Sequence, residues 1–306
     1  FVAKDDHDKA VVRRSIGPVW DGNEVWLLTA GGALFAAFAP AYATTFSGFY
    51  LAVMLVLFGL IVRAVSLEFG AHDPKWGRAW DACFTIGSFL PALLLGVALG
   101  NVIAGVPLAA NGDYAGVPLL GLLSPFTLVV GALGFAMCMA AGAAWVALKT
   151  ERTSAVHGRA EKQRRVWHVV VLVLFVVATV LAFAVVKPQF APGMLVAGAI
   201  FAIAFVVCIA ASIAQAKKGN DLAAFVLQSI AAVCLVALAA VSLFPNLVVA
   251  APGSVGEPIT LMNAASSDTS LAWMTGIACI GVPLVLVYHV IAYRVFRGRL
   301  AEEDVA

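Results

Sequence analysis

Two carboxylates and an amide, Asp21, Glu24 and Asn23, share one helical turn at the opening of an apolar stretch. They lie in the run Gly17 to Gly32, which reads Gly-Pro-Val-Trp-Asp-Gly-Asn-Glu-Val-Trp-Leu-Leu-Thr-Ala-Gly-Gly, with Trp20 and Trp26 flanking the polar residues. An ionisable group at the edge of a lipid-soluble segment is costly unless it finds partners or water, so such acids are candidates for moving protons. The same spacing also fits a structural role, with Asp21 as an N-cap and Glu24 as its capping-box partner three residues on. Arg63 and Glu68 close the next apolar segment and Asp81 opens the one after it. Carboxylates grouped beside an arginine suit a proton entry, because the cation lowers their pKa while burial raises it. The competing account is an electrostatic staple among packed helices, with Arg63 as the charge partner of Glu68.

The elements that must position these residues are membrane spans. The 306 residues are 62% hydrophobic and only 12% charged, with a mean hydropathy of +0.99. A soluble domain carries about twice that charged fraction, so the class is an all-α polytopic membrane protein with no soluble domain. Eight apolar segments are long enough to span a bilayer, at roughly 20–39, 43–66, 80–104, 122–149, 165–187, 192–216, 221–246 and 270–297, after a charged loop over 1–15. All but Lys187 of the 19 lysines and arginines fall on one side of this arrangement. By the positive-inside rule that side is cytoplasmic, which places residue 1, the C-terminus and all four acids at the cytoplasmic face. The formal net charge of +2 is too small to suggest nucleic acid.

Metal and haem chemistry finds little support in the residues. The five cysteines lie inside apolar segments with no C-x-x-C pair and read as small buried hydrophobes. His7, His72 and His157 fall in charged loops, His168 in the opening turn of the fifth segment, which is expected to be interfacial, and His289 alone lies well inside a span. No histidine pair at helical spacing supports a haem ligated by this chain, so metal or haem ligands here are expected to be none and any haem should belong to a partner. Gly31 and Gly32, Gly96 and Gly100, and Gly131, Gly134 and Gly142 permit close helix packing.

The run Gly17 to Gly32, its continuation Ala33 to Pro40 and Thr45 to Tyr50 closely resemble subunit II of the cytochrome bd quinol oxidases. So do Trp80-Asp81, Gly87 to Pro91, Gly96 to Asn101, Gly105 to Pro107, Leu243 to Pro245 and the stretch around Met262 to Leu271. The resemblance covers almost the whole chain. It implies nine helices, eight in this sequence and the first missing, with the natural N-terminus external. It also implies a bacterial plasma-membrane complex that oxidises quinol and reduces dioxygen to water, with two b haems and one d haem held by subunit I. Subunit II would pack against subunit I as a heterodimer, scaffold it and contribute a cytoplasmic proton path. Asp21, Arg63 and Glu68 match the family's motif acid, intramembrane arginine and following acid. Some relatives carry a histidine two residues before the motif acid, where this chain has Val19, which puts a histidine step at that position in doubt. The quinol type, a structural quinone and small accessory peptides stay open. The alternative is a stand-alone proton-coupled transporter or channel, which an acid cluster on one face would also fit, although paired breaks near mid-membrane are lacking.

Overall fold

The computed structural model describes residues 2–70, 72–188 and 190–300, with only the backbone of Pro74. Its first element corrects the expected loop over 1–15. Asp5 accepts a hydrogen bond from Asp8 N (2.8 Å) and caps helix α1, Asp6–Ile16. Asp6 and Asp8 in the first turn and Arg13 and Arg14 in the last complement the helix dipole, which is why a run that reads as solvated charge folds as a helix. Val11 seats α1 on Val146, Ala147, Val156 and Ala160, and Trp145 Nε1 donates to Ser15 O (2.9 Å).

The long helices follow as α2 (Trp20–Ala37), α3 (Ala39–Gly48), α4 (Tyr50–Phe69), α5 (Gly77–Ala104), α6 (Pro125–Lys149), α7 (Ala155–Leu181, continued by a π turn over Ala182–Val186), α8 (Met194–Lys217), α9 (Asp221–Leu243) and α10 (Asp268–Val295). Seven of them, α4 to α10, are long and apolar enough to cross a membrane. The expected count of eight is not reproduced on that measure. Asp21, Asn23 and Glu24 in its opening turns keep the 18-residue α2 out of the set. Pro40 lies in the first turn of α3, where a missing N–H costs nothing, and the chain breaks at Phe38. Ser266 covers two carbonyls at that break, with its N–H on Ala37 O (2.8 Å) and its hydroxyl on Ala36 O (2.6 Å).

Two other expected boundaries move. The segment 43–66 is divided between α3 and α4 at Phe49. The fifth segment starts ten residues earlier than expected, because Ser154 accepts from His157 N (3.1 Å) and caps α7 at Ala155. His157 and His168 are therefore buried helix residues rather than loop and interface residues.

Helices α6 to α9 enclose the main apolar core, with Phe175, Phe205, Ile209 and Val171 at its centre. Helix α5 packs on α6 through Gly96 and Gly131, where a Cβ on Gly96 would come within 2.8 Å of Gly131 Cα. Helix α4 packs on α5, and a Cβ on Gly87 would meet Arg63 N at 2.8 Å, so glycine there lets the backbone of α5 pass directly beside Arg63. The end away from the basic loops is closed by β1 (Asn246–Val248), antiparallel to β2 (Ile259–Thr260), and by a second small core around Val106, Leu108 and Val248. Helices α2 and α10 contribute no buried residue.

Candidate functional site

Asp21, Glu24, Arg63 and Asp81 gather at the end of the bundle that carries the basic loops, in three different environments. Asp21 is exposed in the first turn of α2. Glu24, one turn on, is paired with Arg63 of α4, and both side chains are about three-quarters buried, at 23% and 24% exposure. Arg63 Nε is buried without a hydrogen-bond partner among the described residues. Asp81, in the second turn of α5, accepts from Arg13 Nη2 (2.6 Å) and Lys9 Nζ (2.7 Å). Hydrogen bonds that Lys9 donates to Asp81 first, and then to Asp6, hold its ammonium above the usual lysine range. Helix α1 is in this way latched to the start of α5. A second latch joins Arg159 of α7 to Asp8.

The expected pairing of Arg63 with Glu68 is not what forms. Five residues along a helix turn through about 500°, so the two side chains leave α4 in directions some 140° apart. Glu24 on the neighbouring helix takes the arginine instead. Glu68 is exposed near the end of α4, its carbonyl facing His72 Nδ1 at 3.1 Å, and its carboxylate joins no ion pair among the described residues. A capping role for Asp21 does not form either, since the N-cap of α2 is Val19 and no side chain caps it.

The other motif residues tie α2 to α10. Asn23 Nδ2 donates to Tyr293 Oη (3.1 Å), whose hydroxyl is 3.2 Å from Asn23 Oδ1. Trp26 Nε1 donates to His289 Nε2 (3.4 Å). Trp20 is half-buried. Sequence reading missed His289 and Tyr293 as members of this site. The signal was present: His289 and Tyr293 are four apart on one span, and Asn23 and Trp26 three apart on another, so each pair makes a short polar face.

A separate polar group lies at the same end between α7 and α9. Arg164 and Asp221 are almost wholly buried, with 0% and 2% of their side chains exposed, and face each other at 3.4 Å. Glu161 lies 3.4 Å from Arg164, and Arg299 reaches in from beyond α10 to Asp221 (2.8 Å). His157, Glu161 and Asp221 have ligand atoms within 4.8 Å of one another. Both carboxylates already face arginine, so the charge that would draw a cation is neutralised. Deeper in α7, His168 Nε2 meets Gln228 Oε1 at 2.8 Å inside the helical core.

Haem would need axial ligands aimed into a common space. His157 Nδ1 is on Ala147 O, His168 Nε2 on Gln228 and His289 Nε2 on Trp26, each from a different place in the bundle. Among the described residues, these three histidines do not come together as the axial pair of one haem.

We expect Arg63→Ala to leave the Glu24 carboxylate partly buried and uncompensated, and therefore to lower the yield of assembled, folded protein several-fold in membrane extracts. Wild-type yield from that variant would show that the pair carries no structural weight.

The family described as Cytochrome bd terminal oxidase subunit II matches residues 1–296. Cytochrome bd-I ubiquinol oxidase subunit 2 of Escherichia coli (strain K12) is 32% identical, over 100% of this chain and 88% of its own. Cytochrome bd ubiquinol oxidase subunit 2 of Bacillus subtilis (strain 168) is 30% identical, over 99% and 89%. A chain in the structure of bd oxidase from Geobacillus thermodenitrificans shares the fold, with a TM-score of 0.75 at 15% identity over 96% of this chain and 88% of that one. The chain belongs to the cytochrome bd terminal oxidase subunit II family and is a multi-pass subunit of a terminal oxidase.

Proposed function

We propose that the chain is the haem-free second subunit of a quinol:oxygen oxidoreductase, which scaffolds a haem-bearing subunit I and feeds it protons from the cytoplasmic side. The observation that carries this is the placement of Glu24 and Arg63. An ion pair about three-quarters buried lies one turn from an exposed acid, on a helix that buries none of its own residues in this chain. Ionisable groups inside a membrane face a partner or a hydrated path, and α2 and α10 leave a broad apolar face for one. The entry runs from Asp21 past Glu24 and Arg63, with Glu68 and Asp81 as further acids on the same membrane face. Asp81, latched to Lys9 and Arg13, mainly holds the entry in place.

Subunit I would hold the two b haems and the d haem, because the buried and half-buried histidines of this chain, His157, His168 and His289, bond to three different elements and offer no pair of axial ligands. Quinol is the expected electron donor, on the strength of the names of the relatives from E. coli and B. subtilis. Protons taken from the cytoplasm to make water would separate charge across the membrane without a pump. Small accessory peptides and lipids would fill remaining gaps along the exposed apolar faces.

Co-expression with subunit I tests this directly. The tagged chain should bring down a complex with haem absorption in the red and quinol-driven oxygen uptake. A colourless preparation of this chain alone that moves protons in vesicles would replace the oxidase reading with a transporter.

A further inference from the structure

The seam between α2 and α10 holds a protonatable group whose tautomer is set from both sides. His289 Nδ1 is 2.9 Å from Val285 O, and a carbonyl only accepts, so Nδ1 carries the hydrogen. Trp26 Nε1 only donates, so the Nε2 atom it faces at 3.4 Å carries the lone pair. Nε2 is thus the basic atom of the ring, and it points at the first two turns of α2. A Cβ placed on Gly22, the residue next to Asp21, would lie 4.0 Å from it. The Trp26 hydrogen bond is long, and a long hydrogen bond is weak, so an arriving proton displaces it at small cost.

We propose that His289 is a further proton-carrying residue of the α2 site, resting on the reading of Asp21 as the proton entry. A hydronium at the exposed Asp21 carboxylate gives its proton to His289 Nε2 and leaves as water. The imidazolium then gives the same proton to a water on the open side of the seam, which becomes hydronium, and the Trp26 N–H returns to Nε2. Nδ1–H stays on Val285 O throughout. The groups that meet this imidazole are Trp26 on α2 and Tyr288 and Tyr293 on its own helix; Asn23 on α2 and Trp145 on α6 are reached through Tyr293, Lys149 lies over Trp145, and Glu24 is turned to Arg63 on α4. His289 is half-buried between exposed neighbours, Tyr288 and Val290, and is not part of the closed core of this chain.

His289→Gln in the co-expressed complex is the test, because the glutamine carbonyl still accepts from Trp26 while the side chain no longer titrates. The expected result is wild-type haem content, quinol-driven oxygen uptake lowered roughly tenfold or more, and loss of an inflection that the wild type shows in its pH–rate profile. Wild-type uptake with the same profile overturns the proposal, and so does haem loss in proportion to the lost activity, which makes His289 a structural tie. Should His289→Gln fail to assemble, Trp26→Phe frees Nε2 and leaves the imidazole. Its pH profile should then be displaced, and an unmoved profile counts against the proposal. Asp21→Asn in the same assay separates the two readings. Normal uptake there beside a slow His289→Gln removes Asp21 as the entry and keeps His289, the reverse removes His289 alone, and a wild-type complex inert toward oxygen overturns both.

Discussion

Asp21→Asn should lower quinol-driven oxygen uptake by roughly tenfold or more while the haem spectrum of the complex stays that of the wild type. The two effects separate because of where Asp21 lies. It is exposed, it caps nothing and it joins no ion pair among the described residues. Asparagine keeps the size and loses only the charge and the titrating proton. A substitution at such a site changes stability by no more than about 0.5 kcal/mol in either direction. The same change at Glu24 is not so clean, since it removes the partner of Arg63 and mixes assembly with proton delivery. An oxygen electrode and a haem difference spectrum on the same preparation give both readouts. Haem loss in Asp21→Asn means that the acid holds the helices together, and undiminished uptake with full haem means that protons enter elsewhere.

The apolar segments and the motif were readable because bilayer thickness and helical rise set their length and lipid sets their composition. The same logic misplaced features wherever local chemistry outweighs hydropathy. Helix α1 is almost as charged as a loop, and only its Asp5 cap and its acid-first, base-last order mark it as helical. The start of α7 was lost in the basic loop because its buried side, with Val156, His157, Ala160 and Arg164, alternates with charged residues that face water. The partner of Arg63 was misread because adjacency along one helix was weighed above adjacency between helices. Gly87, which brings the backbone of α5 against Arg63, hinted at its tight surroundings, although glycine spacing says which helices come close and not which side chains meet.

That second point bears on Arg164 and Asp221, 57 residues apart in the sequence and together at the base of the main core. With no exposed surface on Arg164, Asp221→Ala leaves a guanidinium in the interior facing only Glu161 across 3.4 Å. Breaking a buried pair from one side costs about 3–5 kcal/mol, the largest stability loss expected anywhere in the chain. It also frees Arg299, whose bonds to Asp221 (2.8 Å) and Thr150 O (2.7 Å) hold the segment after α10 against the α6–α7 turn. Arg299 is partly exposed and turns to water, so its share of the loss is the smaller one. The expected result is a detergent-solubilised complex that melts several degrees lower than the wild type. The double substitution Asp221→Leu with Arg164→Leu should recover much of that loss, because two apolar side chains replace a pair whose desolvation offsets most of its attraction. Glu161 keeps Arg165 (3.5 Å) in that variant, so no second buried charge is stranded. If the double variant melts no higher than Asp221→Ala, the arginine is needed for more than its charge. If Asp221→Ala itself melts like the wild type, the cluster contributes specificity of packing and little stability.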